Sequence, residues 1–111
     1  MINVQLENEL VIDTLLTRKA ALVLRAINHP LRQQMLRIIH RKEKITVTEL
    51  YIILRLEQSV ASQHLAILRK AGLVSTERRA KNIFYSVNYA QLEHLHKVTG
   101  SLLNGLTASV A

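Results

Sequence analysis

The sequence predicts a mainly α-helical fold with one small β-hairpin, and three observations support this prediction. Nearly half of the 111 residues are apolar, yet there are only three Tyr, one Phe and no Trp, so the core is expected to consist of aliphatic side chains, which suit helices. Three Gly and a single Pro leave little room for long loops or for a linker that would divide the chain into two domains. One helical stretch ends at Gly72 and is followed by two β-rich segments, which supply the hairpin.

The first strongly patterned segment runs from about residue 10 to residue 28 and is predicted to be a helix, whereas residues 1–9 carry a weak pattern typical of a frayed N-terminus. Its apolar residues cover a very wide arc, broader than one buried face usually requires. Either this helix lies at the centre of the domain or a second subunit covers its other side, and the sequence leaves both open. The candidate contacts with a second subunit are Leu15, Leu16 and Val23.

Capping signals mark the next three helices. Pro30 suits the first position of a second helix, and the basic residues 40–42 at its end complement the negative end of the helix dipole. Thr46 and Glu49 have the spacing of a capping box, which predicts a short third helix. After a short turn, Ser59 is expected to cap a fourth helix.

The fourth helix and the segment after it carry the main functional signal. From Ser59 to Ala71 the apolar side chains share one arc, with small polar side chains outside it, and Gly72 sits where a left-handed C-terminal cap is expected. Two β-rich segments, 73–76 and 83–87, then flank a connection rich in Arg and Lys. Two helices joined by a short turn, next to a hairpin with a cationic tip, have the geometry for a DNA major groove and backbone. These residues predict a DNA-binding winged helix-turn-helix.

A last helix is predicted after Asn88, which can cap it together with Gln91. It carries a leucine stripe with no further element to pack on. The stripe is a candidate dimer surface; packing against the first helix of the same chain is the alternative, and it does not exclude a dimer. The candidate dimer contacts on this helix are Leu95, Leu102, Leu103 and Leu106. The DNA-binding and dimerisation domain is therefore predicted over residues 10–106, followed by a C-terminal tail over residues 107–111.

Positive charge is concentrated in the middle of the chain. The net charge is +7, and between Arg18 and Lys81 there are 14 Lys and Arg residues against 4 Glu residues. A basic middle between non-basic ends indicates a surface for a polyanion, with a merely soluble basic protein as the alternative.

Several classes of protein are excluded by what the sequence lacks. Without cysteine there is no disulfide, thiolate metal site or thiol redox switch. There is no uncharged apolar run of about 18 residues and no signal-peptide pattern, so a soluble, cytoplasmic protein without a membrane partner is expected. No Gly-rich phosphate loop, cysteine nucleophile or paired cluster of acids is present, and an enzyme is not predicted.

Three stretches of sequence resemble the ArsR/SmtB family of small bacterial winged-helix repressors. They are NHPLR at residues 28–32, SQHLAILRKAGLV at residues 62–74, and the segment from Arg78 to Tyr85-Ser86-Val87. The resemblance covers roughly residues 10–106. It implies a homodimer that is joined through its first and last helices, binds an imperfect inverted repeat in double-stranded DNA, and releases it when an effector binds.

By this resemblance the base-facing positions of the family fall on Gln58, Ser59, Ser62 and Gln63. The helical wheel agrees for Ser62 and Gln63, which lie outside the apolar arc. Gln can pair with adenine through two hydrogen bonds, and Ser can bond a base edge or a phosphate. Arg69 and Lys70 are candidates for phosphate contacts, with a solvated helix face as the alternative. His64 falls inside the apolar arc, so a half-buried packing role is favoured over base contact.

The hairpin tip carries the remaining candidates for DNA contact, which are Arg78, Arg79, Lys81 and Asn82. Four such residues close together favour contact with phosphates or the minor groove over a merely solvated turn. The sequence departs from the family at Ala80, where the family often has Gly. The left-handed residue of the turn is then expected at Asn82 or at another non-glycine position.

The usual metal-sensing positions of the family hold no plausible ligands. Residues 45–48 contain no cysteine, and the positions of the other metal site are occupied by Tyr89, Gln91, Leu102 and Gly105. Glu93 and His96, three residues apart on one helix, remain as a non-standard pair. No metal or other cofactor is predicted, and the effector cannot be read from the sequence.

The predicted function is a homodimeric, sequence-specific transcriptional regulator, a repressor by resemblance, associated with the bacterial nucleoid when bound to DNA. One alternative is a winged-helix dimer that binds another protein instead of DNA. The other is a metal-sensing repressor that uses Glu93 and His96.

Overall fold

A computed structural model describes residues 5–6 and 8–110, with side chains for residues 8–105. The predicted frayed segment at residues 1–4 and 7, and residue 111 of the predicted tail, lie outside the described residues. The elements in chain order are β1 (Gln5–Leu6), β2 (Glu9–Leu10), α1 (Thr14–Ile27), α2 (Pro30–Lys42), β3 (Ile45–Thr46), α3 (Val47–Leu54), α4 (Gln58–Lys70), β4 (Val74–Arg79), β5 (Asn82–Val87) and α5 (Tyr89–Val110). The prediction of a mainly helical winged helix-turn-helix is confirmed.

The first helix is shorter than predicted. The N–H of Leu16 donates to Asp13 Oδ1 at 2.9 Å, so Asp13 caps α1 and the helix begins at Thr14 rather than near residue 10. Residues 9–10 instead pair antiparallel with residues 5–6 in a two-strand hairpin. The apolar pattern at residues 10–12 continues that of the helix, which explains why the sequence extends it too far.

The capping signals of α2 and α3 are confirmed. Pro30 opens α2, and the side chain of His29 accepts the N–H of Leu31 at 3.2 Å. Thr46 Oγ1 accepts the N–H of Glu49 at 3.2 Å, and the Glu49 carboxylate accepts the N–H of Thr46 at 3.4 Å. The capping box therefore fixes where α3 begins.

The hairpin is longer than predicted and belongs to a three-stranded antiparallel sheet of order β3-β5-β4. The strands extend to Arg79 and Asn82, which face each other across a two-residue turn. β3 pairs with the middle of β5, with Ile45 opposite Tyr85 and Thr46 opposite Phe84. The sequence did not predict β3, because a two-residue strand leaves no alternating pattern.

The core lies beneath the helix-turn-helix, between α2, α3, α4 and the sheet. The largest fully buried side chains are Met35, Ile39, Ile45, Leu50, Leu65, Leu68 and Leu73. Among the side chains described, those of residues 8–105, α1 contributes only Ala26 to the buried set and α5 only Leu95. Other apolar side chains of these two helices are exposed, among them Leu15, Leu16, Leu102 and Leu103.

Hydrogen bonds tie the end of α4 to the start of α5. Gly72 adopts a left-handed φ of 73° after α4, as predicted, and its carbonyl accepts from Asn88 Nδ2 at 2.8 Å. Asn88 Oδ1 accepts the N–H of Gln91 at 3.3 Å, which confirms the predicted cap of α5. The side chain of Gln91 does not return to Asn88; it donates to the Ala71 carbonyl at 3.1 Å.

α5 continues to Val110, past residue 106, where the domain was predicted to end. Residues 107–110 of the predicted tail are thus helical. None of the helices in the described ranges is both long and apolar enough to cross a membrane.

Candidate nucleic-acid interface

The turn between α3 and α4 sets the exposed end of α4. Arg55 ends α3 with a left-handed φ of 55°, and Glu57 is the N-cap residue of α4. The prediction that Ser59 caps α4 is wrong, because α4 already begins at Gln58 and Ser59 lies within its first turn. Glu57 makes no side-chain capping bond. The Ser59 hydroxyl is therefore not committed to the end of the helix.

One face of α4 is buried and another is polar and exposed. Ala61, Leu65 and Leu68 anchor the helix in the core. The four predicted base-contact residues are exposed and form the polar face, Gln58, Ser59, Ser62 and Gln63. They form two i, i+4 pairs and so lie side by side on the helix surface. Within residues 8–105, none of these side chains is engaged in a hydrogen bond with the rest of the chain.

A cleft of about 380 Å³ separates α4 from strand β5 and is lined by Ser62, Ala66, Arg69, Lys70 and Tyr85. We call it the α4–β5 cleft. Two cations and two hydroxyl groups face it, and no acidic side chain lines it. Arg69 and Lys70 also lie in the last turn of α4, where cations stabilise the helix dipole. The cleft therefore has the chemistry of an anion site.

Tyr85 is the residue of this site that the sequence did not single out. Its cross-strand partner is Thr76, and Ile45 of β3 lies on its other side, so its position depends on the register of three strands. Alternation along β5 is the signal that could have found it: Val87 is buried, and every second residue toward the tip shares its face.

The predicted wing residues divide between the two faces of the hairpin. Arg78 shares a face with Tyr85, whereas Arg79 lies with Glu77 on the opposite face. Arg79 Nε donates to Glu77 at 3.1 Å, and Lys44 Nζ donates to the same carboxylate at 3.0 Å. These two hydrogen bonds lower the pKa of Glu77. Arg78 and Lys81 make no such ion pair in the described part of the chain. Of these three wing cations, Arg79 is therefore paired with an acidic side chain, and Arg78 and Lys81 are not.

The left-handed residue of the wing turn is not Asn82 but another non-glycine position, the second of the two predicted possibilities. Asn82 is the first residue of β5, and the left-handed position of the turn is Ala80, with φ of 54°. The turn has only two residues, so the position that follows Arg79 must take the positive φ. Ala80, Lys81 and Asn82 are all exposed at the tip.

His64 is half-buried, as predicted, but its environment is polar. Its Nδ1 accepts a hydrogen bond from Arg32 Nη1 at 3.2 Å, and its ring packs against that of His29 with centroids 5.0 Å apart. Burial, and then the charges of His29 and Arg32, lower the pKa of His64. Arg32, the last residue of the NHPLR stretch, is thus a further residue of this site that no sequence pattern singles out.

The candidate metal pair lies away from the polar face. Glu93 and His96 line a cavity of about 470 Å³ beside the end of α1, together with Tyr89. Glu93 also pairs with Lys97 at 3.7 Å. No group of three His, Asp or Glu side chains that could hold a metal ion occurs in the described ranges.

The candidate dimer residues have different environments within one chain. Leu15, Leu16, Leu102 and Leu103 are all more than half exposed. Val23 is half-buried beside a groove between α1 and α5 that Leu102 also lines. Leu95 is 9% exposed and therefore belongs largely to the core of its own chain. The side chain of Leu106 lies outside the described residues.

The chain is similar to known regulators in sequence. The sequence model of the family described as bacterial regulatory protein, arsR family, matches residues 29–76, from just before α2 into β4. The transcriptional activator HlyU of Vibrio cholerae is 39% identical over 84 residues, covering 72% of this chain and 77% of HlyU. The transcriptional repressor PagR of Bacillus anthracis is 31% identical over 76 residues, covering 68% of this chain and 76% of PagR.

Solved structures show the same similarity. The crystal structure of PagR has a TM-score of 0.62 at 28% identity and covers 78% of this chain and 99% of that chain. NolR from Sinorhizobium fredii has a TM-score of 0.61 at 37% identity and covers 78% of this chain and 82% of its own. The resemblance drawn from the sequence is confirmed, and the function is that of a regulator rather than an enzyme. The chain belongs to the arsR family of bacterial regulatory proteins and is a DNA-binding transcriptional regulator.

Proposed function

We propose that the chain acts as a homodimeric, sequence-specific repressor that binds an inverted repeat in double-stranded DNA. The observation that carries the proposal is the polar face of α4, which is exposed and uncommitted beside a cleft lined by Arg69 and Lys70. We call α4 the recognition helix. In a helix-turn-helix protein, the N-terminal residues of this helix contact base edges in the major groove.

Sequence discrimination is assigned to the polar face. Gln63 and Gln58 each offer an amide that can pair with adenine through two hydrogen bonds, and a correct pair of this kind is worth about 1–3 kcal/mol over the wrong base. Ser59 and Ser62 lie between them with hydroxyl groups that can bond base edges or phosphate. The hydroxyl of Ser59 is available for this role because it does not cap the helix.

Affinity is assigned to cations and hydroxyls that contact the DNA backbone. The α4–β5 cleft holds Arg69, Lys70 and the Tyr85 phenol, which suit one phosphate next to the bases that the helix contacts. Arg78 and Lys81 extend this contact along the wing. Arg79 is expected to contribute less because Glu77 binds its guanidinium. Asn82, next to the turn, is a neutral candidate for the same backbone.

Dimerisation is assigned to the exposed leucines of α1 and α5. Leu15, Leu16, Leu102 and Leu103 lie on the two helices that contribute least to the core. A two-fold dimer presents two recognition helices, and its half-sites then lie about 34 Å, or one turn of DNA, apart. The proposal places the protein in the bacterial cytoplasm, bound to the nucleoid when it occupies its operator, and assigns it no metal or other cofactor.

The test is a selection of duplexes by the wild-type protein from a random pool, followed by anisotropy titrations of the enriched duplex. We expect an inverted repeat, and an affinity that falls with salt with a log–log slope of about −0.9 for each phosphate neutralised. Gln63→Ala should reduce discrimination at one base position of each half-site by a factor of about 10.

The matched control is Gln34→Ala, which removes an exposed glutamine from α2 and should leave discrimination unchanged. Two results would overturn the proposal. One is the absence of any salt-sensitive binding at about 50 mM salt, where backbone contacts are strong. The other is equal behaviour of the Gln63 and Gln34 variants.

A further inference from the structure

Arg32 closes the C-terminal end of α1. It is the only buried charged residue in the described part of the chain, with 8% of its surface exposed. Its Nε donates to the carbonyl oxygen of Ala26 at 2.7 Å, and its Nη2 donates to that of Arg25 at 2.8 Å. These carbonyls lie in the last turn of α1, where they lack partners within the helix and carry the negative end of its dipole. The buried charge is thus compensated by carbonyl groups.

The same guanidinium also reaches the recognition helix. Its Nη1 donates to His64 Nδ1 at 3.2 Å. A guanidinium has donors only, so this bond requires a neutral imidazole with its proton on Nε2. Burial first, and then the charges of His29 and Arg32, lower the pKa of His64 and so favour that form.

We propose that Arg32 is a positioning residue that fixes the direction of the recognition helix relative to α1 by holding His64. His64 directly follows Gln63 of the polar face, so a rotation of α4 about its axis moves both side chains together. The planar guanidinium satisfies three acceptors at once, on two helices, which the single ammonium group of a lysine cannot reproduce. The inference rests on the proposed function only in taking α4 as the helix that enters the groove.

The contact is expected to affect discrimination between sequences more than attraction to DNA. Base contacts require the polar face at the correct angle, whereas phosphate contacts by flexible cations tolerate a small rotation. Protonated His64 cannot accept from Arg32 and is repelled by it. Acidification below the usual pKa of histidine should therefore reduce discrimination in the same way as removal of the contact.

The experiment compares the affinity for the duplex enriched by the wild-type protein with that for a scrambled duplex of equal length. Arg32→Lys and His64→Leu should each lower this ratio by a factor of about 10, and the double variant should be no worse than either one, because both remove the same contact. His64→Asn keeps an acceptor at the same position without titrating near neutral pH, so it should retain the ratio and abolish its decrease on acidification.

Arg37→Lys, at an exposed position of the same helix, is the matched control and should behave as wild type. Circular dichroism verifies that each variant is folded. If Arg32→Lys does not fold, His64→Leu tests the same contact from the less buried side. An unchanged ratio in folded His64→Leu would overturn the proposal, as would an equal loss in Arg37→Lys.

Hydrogen exchange without DNA separates this inference from the proposed function. If the wild-type protein prefers no duplex, the proposed function fails, yet the contact can still be measured. The amide protons of α4 should then exchange several-fold faster in His64→Leu than in His64→Asn, because only the latter retains the bond to Arg32. Equal exchange rates in these two variants would overturn the inference whatever the DNA result.

Discussion

At the scale of single residues, two non-glycine positions in the turns beside the recognition helix and the wing have left-handed backbone angles. Ala80 and Arg55 both adopt left-handed φ values of about 55°, a region that costs an L-residue about 1 kcal/mol or more. Ala80 lies at the wing tip and Arg55 in the turn before the recognition helix. In both turns the flanking helices or strands determine the backbone angles, and the turn residue adopts them although it is not glycine.

Replacement of Ala80 by glycine should stabilise the protein. We expect Ala80→Gly to raise the free energy of unfolding by about 0.5 kcal/mol, since relief of the left-handed strain exceeds the added entropy of the unfolded chain. Ala90→Gly, in the ordinary helical backbone of α5, should lower it by a similar amount. Thermal unfolding of both variants measures the sign, and a loss of stability in Ala80→Gly would contradict the strain.

His64 should make the stability of the fold depend on pH. Because its pKa is lower in the folded chain than in the unfolded chain, the unfolded chain binds more protons between the two values. The contribution of neutral His64 to the free energy of unfolding is therefore complete above the pKa of histidine in an unfolded chain, about 6.5. It is lost as the pH falls from there through the lower pKa of the folded chain. Denaturant titrations from about pH 7.5 downward should show this loss in wild type and less of it in His64→Asn. If the free energy of unfolding had the same pH dependence in wild type and in His64→Asn, the assignment of this effect to His64 would be refuted.

At the scale of elements, most of the architecture could be predicted because it is encoded locally. Pro30, the Thr46 capping box and Gly72 each act within one turn of the chain, and all three mark boundaries that the structure confirms. The start of α1 could not be read, because the apolar residues before Asp13 continue its pattern. The third strand depends on pairing with a distant segment and leaves no local signal.

The site divides in the same way. The exposure of Ser62 and Gln63 follows from the helical period and could be predicted, but the division of the wing between its two faces could not. That division depends on strand register and on Lys44, which reaches Glu77 from 33 positions away along the chain. Tyr85 and Arg32 were missed for the same reason, because their partners lie on other elements.

The two wing arginines should therefore contribute unequally to DNA binding. Arg78→Ala should reduce the log–log salt slope by about 0.9, whereas Arg79→Ala should change it less, since the guanidinium of Arg79 is already paired with Glu77. When Glu77 is replaced by Gln, Arg79 loses its partner, and Arg79→Ala should then reduce the salt slope by more than it does in the wild-type protein. Salt titrations of wild type, the two alanine variants, Glu77→Gln and the Glu77→Gln/Arg79→Ala double variant measure this, and equal slopes for both single alanine variants would contradict the assignment.

At the scale of the whole molecule, one chain leaves an apolar surface that it does not cover itself. It extends 57 × 29 × 23 Å, and the leucines of α1 and α5 are exposed while the core lies elsewhere. Small domains gain more from association than large ones, because they bury a smaller fraction of their surface alone. We propose that a second copy of the chain buries this apolar surface in a dimer.

Leu102→Asp should convert the proposed dimer to a monomer. A carboxylate at this position would be buried without a partner in the dimer but would remain solvated in a free chain. Ile52→Asp is the matched control, because Ile52 is 62% exposed and Leu102 65% exposed, but Ile52 lies on α3, away from the proposed interface. Sedimentation velocity should show a lower mass for the Leu102 variant only. Equal masses for the two variants would argue against this interface.

The hydrogen bonds from Asn88 and Gln91 to the end of the recognition helix have a consequence for operator length. They join that helix directly to α5, the helix assigned to subunit association, so in the proposed dimer the two recognition helices would be held at a fixed distance. Inserting or deleting a single base pair at the centre of the repeat rotates one half-site out of phase. A dimer joined in this way would have to distort the duplex to bridge the gap, and the number of central base pairs becomes part of what it recognises.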